Sequence, residues 1–314
     1  MDEVFWIAGP LIGFIGMMSG GFWGVGCGWI VVPTMLILGM TPLEAVGIGL
    51  LQMVPSTLLT VVKQAPEIGW KRHSPGITLA LPIGAGAMLT AWLGKWVNRE
   101  LLELFGSARP LQWMLIVFIS LIAFQTLVSR TPCYADALPE ITPRKRFFAF
   151  VMGLLTGIVS SMLGVGGGIL IRPLLTSGFR LPEYYTSRIV RALVLVTTVT
   201  GGITYLVGQG GFESRIFGIA MLTAAGGIFG FPLGVKMHKI VYDAGYAQHI
   251  HKSFAVIAIA VPLNTLLNMY GYSHLSRCLM IGIAVVLACG LSLFTLYVRQ
   301  YPSAGAITGQ RKLR

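Results

Sequence analysis

Apolar stretches of about 20 residues recur along the whole chain, each the length a helix needs to cross a lipid bilayer. They fall at roughly 4–20, 43–63, 74–95, 110–129, 146–163, 184–208, 214–235, 251–270 and 277–298. No other feature constrains the fold as strongly. Composition agrees with it. Of the 314 residues, 55% are hydrophobic and 11% are charged, against roughly 25% charged in an ordinary soluble domain. The mean hydropathy is +0.77. These values exclude a soluble globule, a disordered chain and a collagen-like fibre, and they predict an all-α polytopic membrane protein. Cys27, Cys133, Cys278 and Cys289 are scattered, with no paired spacing, so neither a disulfide framework nor a zinc site is expected. The five histidines (His73, His238, His249, His251 and His274) fall in or near predicted loops. No metal and no cofactor is expected. With the acidic start Met1-Asp2-Glu3, no cleavable signal is expected.

Two shorter apolar pieces, about 28–38 and 168–177, follow glycine-rich breaks. At ~1.5 Å per residue neither spans ~30 Å of hydrocarbon. Each is expected to pair with the helix before it, as a re-entrant hairpin or a broken helix. Irregular backbone at membrane depth is tolerated only inside protein or beside a water-filled cavity. The net charge of +12 tests the parity of these hairpins. If each returns to the side it came from, 15 basic residues collect on one face and 5 on the other. If each makes one net crossing, the split is 11 to 9. Lys and Arg accumulate in cytoplasmic loops. The 15-to-5 split therefore predicts returning hairpins, a periplasmic N-terminus and a cytoplasmic C-terminus. The positive charge is read as topology, and no nucleic-acid partner is expected.

The chain repeats itself at an offset of 140. Gly24-Val25-Gly26-Cys27-Gly28 matches Gly164-Val165-Gly166-Gly167-Gly168; Pro33 matches Pro173, and Pro42 matches Pro182. Further on, Ile68-Gly69-Trp70 is similar to Gly210-Gly211-Phe212. Each unit reads as a Gly-broken hairpin followed by three transmembrane helices. An odd number of net crossings gives the two units opposite orientations. Such inverted-topology repeats are a transporter architecture, with the substrate site at the broken helices. The expected boundaries are a first membrane repeat over 1–129, a cytoplasmic linker over 130–145, a second repeat over 146–298 and a basic cytoplasmic tail over 299–314.

The twofold glycine-rich turn with its nearby proline resembles the sulfite exporter (TauE/SafE) family of bacterial membrane proteins. The resemblance covers about residues 5–298. Its more specific copy is Gly164-Val165-Gly166-Gly167-Gly168-Ile169-Leu170-Ile171-Arg172-Pro173. The first half departs from it by carrying Cys27 and Trp29 in and beside the turn. The resemblance implies export of small sulfur-containing anions, such as sulfite or an organosulfonate like sulfoacetate.

Several residues suit an anion on their own chemistry. Glycine lets backbone N–H groups approach a ligand without a Cβ in the way. The turns at Gly24, Gly26 and Gly28, and at Gly164, Gly166, Gly167 and Gly168, would offer such donors, and helix N-termini starting near Gly28 and Gly168 would add a positive dipole end. Close helix packing also selects glycine, and that reading fits Gly226, Gly230 and Gly234, spaced by four. Arg172, Arg188 and Arg191 sit near or within apolar segments, where a charge costs ~2.5 kcal/mol or more. Their counterparts at the 140 offset are the apolar Val32, Ile48 and Leu51. A planar guanidinium suits an oxyanion; snorkelling to the interface is the competing reading. Gln52 and Ser56 in the first half, with Thr197 and Thr198 in the second, add amide and hydroxyl groups that otherwise serve helix–helix hydrogen bonding. Glu44 and Glu183 follow Pro42 and Pro182. They are candidates for proton or sodium coupling, or simply first-turn acids that favour a helix N-terminus.

These residues predict a secondary transporter for a small anion, working by alternating access in a lipid bilayer, with a homo-oligomer open. A cation carrier would need buried acids, and the buried charges expected here are basic. An intramembrane enzyme would need a base beside Ser160 and Ser161, and no span offers a central His or Asp. A non-transporting membrane sensor is the remaining alternative.

Overall fold

The computed structural model describes residues 2–68, 74, 76–128, 141–207 and 213–301. Most of the linker, most of the basic tail, and Gly69-Trp70 and Gly210-Gly211-Phe212 of the matched pair lie outside the described residues. Helices α1 (Asp2–Trp23) and α2 (Gly28–Ile37) flank the first glycine turn. They are followed by α3 (Pro42–Leu51), α4 (Met53–Ile68), α5 (Leu81–Phe105) and α6 (Arg109–Val128). The second half opens with α7 (Pro143–Leu163), the second glycine turn and α8 (Gly168–Pro173). It continues with α9 (Glu183–Val207), α10 (Ser214–Asp243) and α11 (Ala247–Met269). Last come α12 (Ser273–Val285) and α13 (Leu291–Gln300), joined through a π-helical turn at Val286–Gly290.

All nine expected spans are present as helices long and apolar enough to cross a membrane. Both short pieces are present too, the second as α8 running into a π-helical turn at Leu174–Gly178. Helices α3 and α4 together form one span, Pro42–Gln64, interrupted only at Gln52. Pro55 explains the interruption. It has no N–H for the Leu51 carbonyl and its ring crowds that oxygen. The sequence order of long helix, glycine turn, short helix and three further spans occurs twice. The Ser273–Gln300 span follows without a counterpart in the first half.

Glycines set how the halves meet. A Cβ on Gly226, Gly230 or Gly234 would fall on the carbonyl of Pro10, Phe14 or Met18. Both members of each pair advance by four, so α1 and α10 run parallel in close backbone contact. In the same way Gly153 meets Ile83 and Gly157 meets Ala87, so α5 and α7 also run parallel. Thr90 Oγ1 donates to the Leu154 carbonyl across that contact, at 2.6 Å. The first helix of each half thus packs on the third span of the other. The second spans run antiparallel, since Gly202 meets Leu51 while Arg191 bonds Gln64. Small residues that let backbones approach are the main source of helix association in lipid, where hydrophobic burial gives little. The outer faces carry exposed Trp92, Phe124, Phe229 and Leu293, as a lipid-facing surface requires.

Candidate functional site

The two glycine turns lie against each other at the junction of the halves. A Cβ on Gly28 would fall on the Gly164 carbonyl, and one on Gly168 would meet the Val25 carbonyl at 2.6 Å. Gly28 and Gly168 are matched at the 140 offset, and so are Val165, which also crowds Gly28, and Val25, so each turn meets the other to within one residue. The turns differ at one residue. Gly167 has φ +69°, in the left-handed region that suits glycine, whereas its counterpart Cys27 has φ −118°. The first turn therefore accepts a side chain where the second does not.

Met53 fills the space between the turns. Its sulfur would lie 3.3 Å from a Cβ on Gly26 and 3.1 Å from one on Gly166, and it accepts the Cys27 N–H at 3.4 Å. Gln52 Nε2 donates to Cys27 Sγ at 2.8 Å, and both residues are fully buried. The Gln52 Oε1 atom and the hydroxyls of Ser160 and Ser161 are buried without a hydrogen-bond partner among the described residues. Thr197 Oγ1 donates to the Gly166 carbonyl at 2.9 Å, tying α9 to the second turn. Ser56 and Thr198 donate within their own helices, to Met53 O at 3.2 Å and Leu195 O at 3.1 Å. The junction thus gathers Gly24, Gly26, Gly28, Gln52, Gly164, Gly166, Gly167, Gly168 and Thr197 into one buried region.

The arginines are distributed unevenly around it. Arg172 is buried and reaches the first turn: it donates to the Trp23 carbonyl at the end of α1 and to Glu183 Oε1. A Cβ on Gly24 would lie 2.9 Å from its Nη1. Arg191 is also buried, and its Nη1 donates to Gln64 Oε1 at 3.1 Å. It lies six residues before Thr197, or ~9 Å along α9. Arg188 is half-buried on the same helix. The residues that sequence reasoning passed over as site members are Met53, Gln64 and His238. His238 Nδ1 lies 2.7 Å from the Phe22 carbonyl. Asn98, its counterpart at the 140 offset, donates to the Met162 carbonyl at 3.1 Å, and Met162 is the counterpart of Phe22. The offset alone could have paired these two residues.

Glu44 takes a different place. Its carboxylate accepts the Thr41 N–H at 2.7 Å while Thr41 Oγ1 accepts the Glu44 N–H at 3.4 Å, a capping box that starts α3. Replacing Thr41 by Ala removes half of that box. The expected result is a loss of ~1 kcal/mol in stability, read as a small fall in the thermal midpoint with transport unchanged. No group of three or more His, Cys, Asp or Glu suited to a metal occurs among the described residues.

A protein-family model described as "Sulfite exporter TauE/SafE" matches residues 10–265 of the chain. A relative from Methanocaldococcus jannaschii, described as a "Probable membrane transporter protein", is 23% identical over 274 residues, covering 83% of this chain and 92% of its own length. A Bacillus subtilis protein described in the same words is 20% identical over 251 residues, covering 73% of this chain and 87% of its own. No solved structure matches the chain significantly.

Proposed function

Because the chain belongs to the sulfite exporter TauE/SafE family, we propose that it is a secondary transporter that exports a small sulfur oxyanion, sulfite or an organosulfonate such as sulfoacetate, across a bacterial inner membrane. The observation that carries this reading is the reciprocal meeting of two glycine turns from the two halves, with buried guanidinium groups around them. Helix α2 starts at one turn, and its first N–H groups are the donors a helix leaves unsatisfied. An anion entering there displaces the flexible Met53 side chain and takes the Cys27 N–H that its sulfur now accepts. Gln52 and Thr197 line the same region. Arg191 and Arg188 supply positive charge on the approach along α9. Arg172 stands at the first turn, where it holds the end of α1 while adding its field.

The two halves, 1–129 and 146–298, are proposed to be inverted repeats that rock around this junction to give alternating access. The parallel pairing of α1 with α10 and of α5 with α7, and the antiparallel second spans, are what an inverted pair with returning hairpins produces. In the proposed orientation the N-terminus is periplasmic and the C-terminus cytoplasmic.

A thermal-shift screen of purified protein tests the ligand. A molecule that binds the folded state at about 100 times its Kd adds ~2.7 kcal/mol of apparent stability. Sulfite, sulfoacetate, thiosulfate, sulfate, taurine and phosphate form the panel. The expected outcome is a raised midpoint with at least one sulfur oxyanion and none with the same concentration of chloride. Silence across the whole panel counts against an anion site.

A further inference from the structure

The ends of α1 and α7, where the two glycine turns begin, are held in matched ways but by different chemistry. At α7 the holding groups are neutral amide and phenol: Asn98 Nδ2 donates to the Met162 carbonyl and to Tyr205 Oη, each at 3.1 Å, and Tyr205 Oη donates to the Ser161 carbonyl at 3.0 Å. At α1 they are ionisable: Arg172 donates to the Trp23 carbonyl and to Glu183 Oε1, while His238 bonds the Phe22 carbonyl. All three side chains are buried. We propose that Glu183 and His238, braced by Arg172, form a proton-binding latch on the end of α1, and that this latch is the site of proton coupling.

The geometry gives the latch its direction. The Phe22 carbonyl is only an acceptor, so the bond at 2.7 Å requires the proton on His238 Nδ1. In neutral His238 the other nitrogen, Nε2, is then an acceptor, and it faces Glu183 Oε1 at 3.7 Å. Two acceptors turned to each other gain nothing until a proton arrives between them. Protonation of Nε2 makes a charge-assisted hydrogen bond to Glu183 and places a full positive charge on the group that holds the C-terminal carbonyls of α1. Both changes tighten the latch. Glu183 faces Arg172 from α8 and His238 from α10, and Arg191 of its own helix also acts on it. His238 stacks on Tyr242 of α10 at 6.3 Å, and α1 meets the latch through Phe22 and Trp23, which do not titrate. In the first half the counterpart of His238 is Asn98, which takes no proton. Proton binding therefore acts on one broken helix and not on the other, which is the asymmetry a proton-coupled carrier needs. The inference rests on the transporter reading for that consequence alone.

The latch is read without substrate through Cys27, four residues beyond Trp23 and fully buried, by its labelling with N-ethylmaleimide in purified protein. The exposed Cys278 of the same chain is the reference that cancels the reagent's own pH dependence. On going from about pH 8 to about pH 5, a window that spans ordinary histidine titration, the Cys27-to-Cys278 labelling ratio is expected to fall by about tenfold, the effect of tightening by ~1.4 kcal/mol. His238→Asn copies the amide that holds α7, so it keeps a donor for the Phe22 carbonyl and is expected to show a ratio independent of pH. Glu183→Gln is expected to lose the dependence as well; if that variant does not fold, His238→Asn decides alone. A ratio in the unmodified protein that is flat or rises with acid overturns the latch, and so does the same fall in His238→Asn. Loss of anion transport with the pH-dependent ratio intact would overturn the transporter reading instead.

Discussion

Gly28→Ala is expected to yield no folded protein. The added Cβ would fall on the carbonyl oxygen of Gly164, with the Gly164 and Val165 backbone directly behind it. Overpacking a core commonly costs 1–3 kcal/mol when side chains can shift. Here the obstacle is backbone on a turn held by Thr197, so the cost exceeds ~3 kcal/mol, a large share of a total stability of ~5–15 kcal/mol. Gly168→Ala meets the Val25 carbonyl in the mirrored contact and is expected to fail in the same way. Gly282→Ala is the control. It lies within α12 and a Cβ there has nothing within 4 Å, so the substitution is expected to be neutral or to gain the ~1 kcal/mol that Ala gains over Gly in a helix. Size-exclusion profiles of fluorescently tagged protein check all three. A sharp monodisperse peak for Gly28→Ala would mean that the two turns do not meet as described.

That contact was half legible in the sequence. The glycine turns, the prolines beyond them and the 140 offset are local patterns, and the apolar runs between them fix nine spans because bilayer thickness fixes helix length. What sequence could not supply was which helix faces which. The glycines at 226, 230 and 234 read as packing residues from their spacing, yet nothing in that spacing names Pro10, Phe14 and Met18 as the partners. The interruption at Gln52 was open to reading from Pro55. Arg172 was legible as an unusual buried charge, but its bonds to Trp23 and Glu183 join three elements, and periodicity within one element does not report them. Met53 carried no signal at all. A methionine in an apolar span is commonplace, and its place between two turns exists only in the assembled fold.

Those joining contacts also separate the arginines. Arg172→Ala removes a donor from the end of α1 and the guanidinium bonded to the buried Glu183 carboxylate, and breaking a buried pair in this way costs ~3–5 kcal/mol. Its effect on transport is therefore mixed with its effect on folding. Arg191 is the second probe, and its charge also acts on Glu183. Its Nη1 donates to Gln64 Oε1, a neutral acceptor on a helix of the other half, at 3.1 Å. Removing the guanidinium leaves no carboxylate behind at that contact, and a neutral amide acceptor is cheaper to strand than a charge. If the guanidinium guides and holds the anion, loss of this charge-assisted contact removes ~1.5–3 kcal/mol of binding, which is about 10-fold to 100-fold or more in apparent affinity.

The most direct test of the account is therefore sulfite flux in proteoliposomes, measured for the unmodified protein and for Arg191→Ala after both have been shown monodisperse and equally inserted. Saturable flux is expected in the unmodified protein and, at subsaturating sulfite, flux at least about tenfold lower in Arg191→Ala. Equal flux in the two proteins would contradict the role given to Arg191, and absence of saturable flux for sulfite and every organosulfonate in the unmodified protein would contradict the proposed function itself.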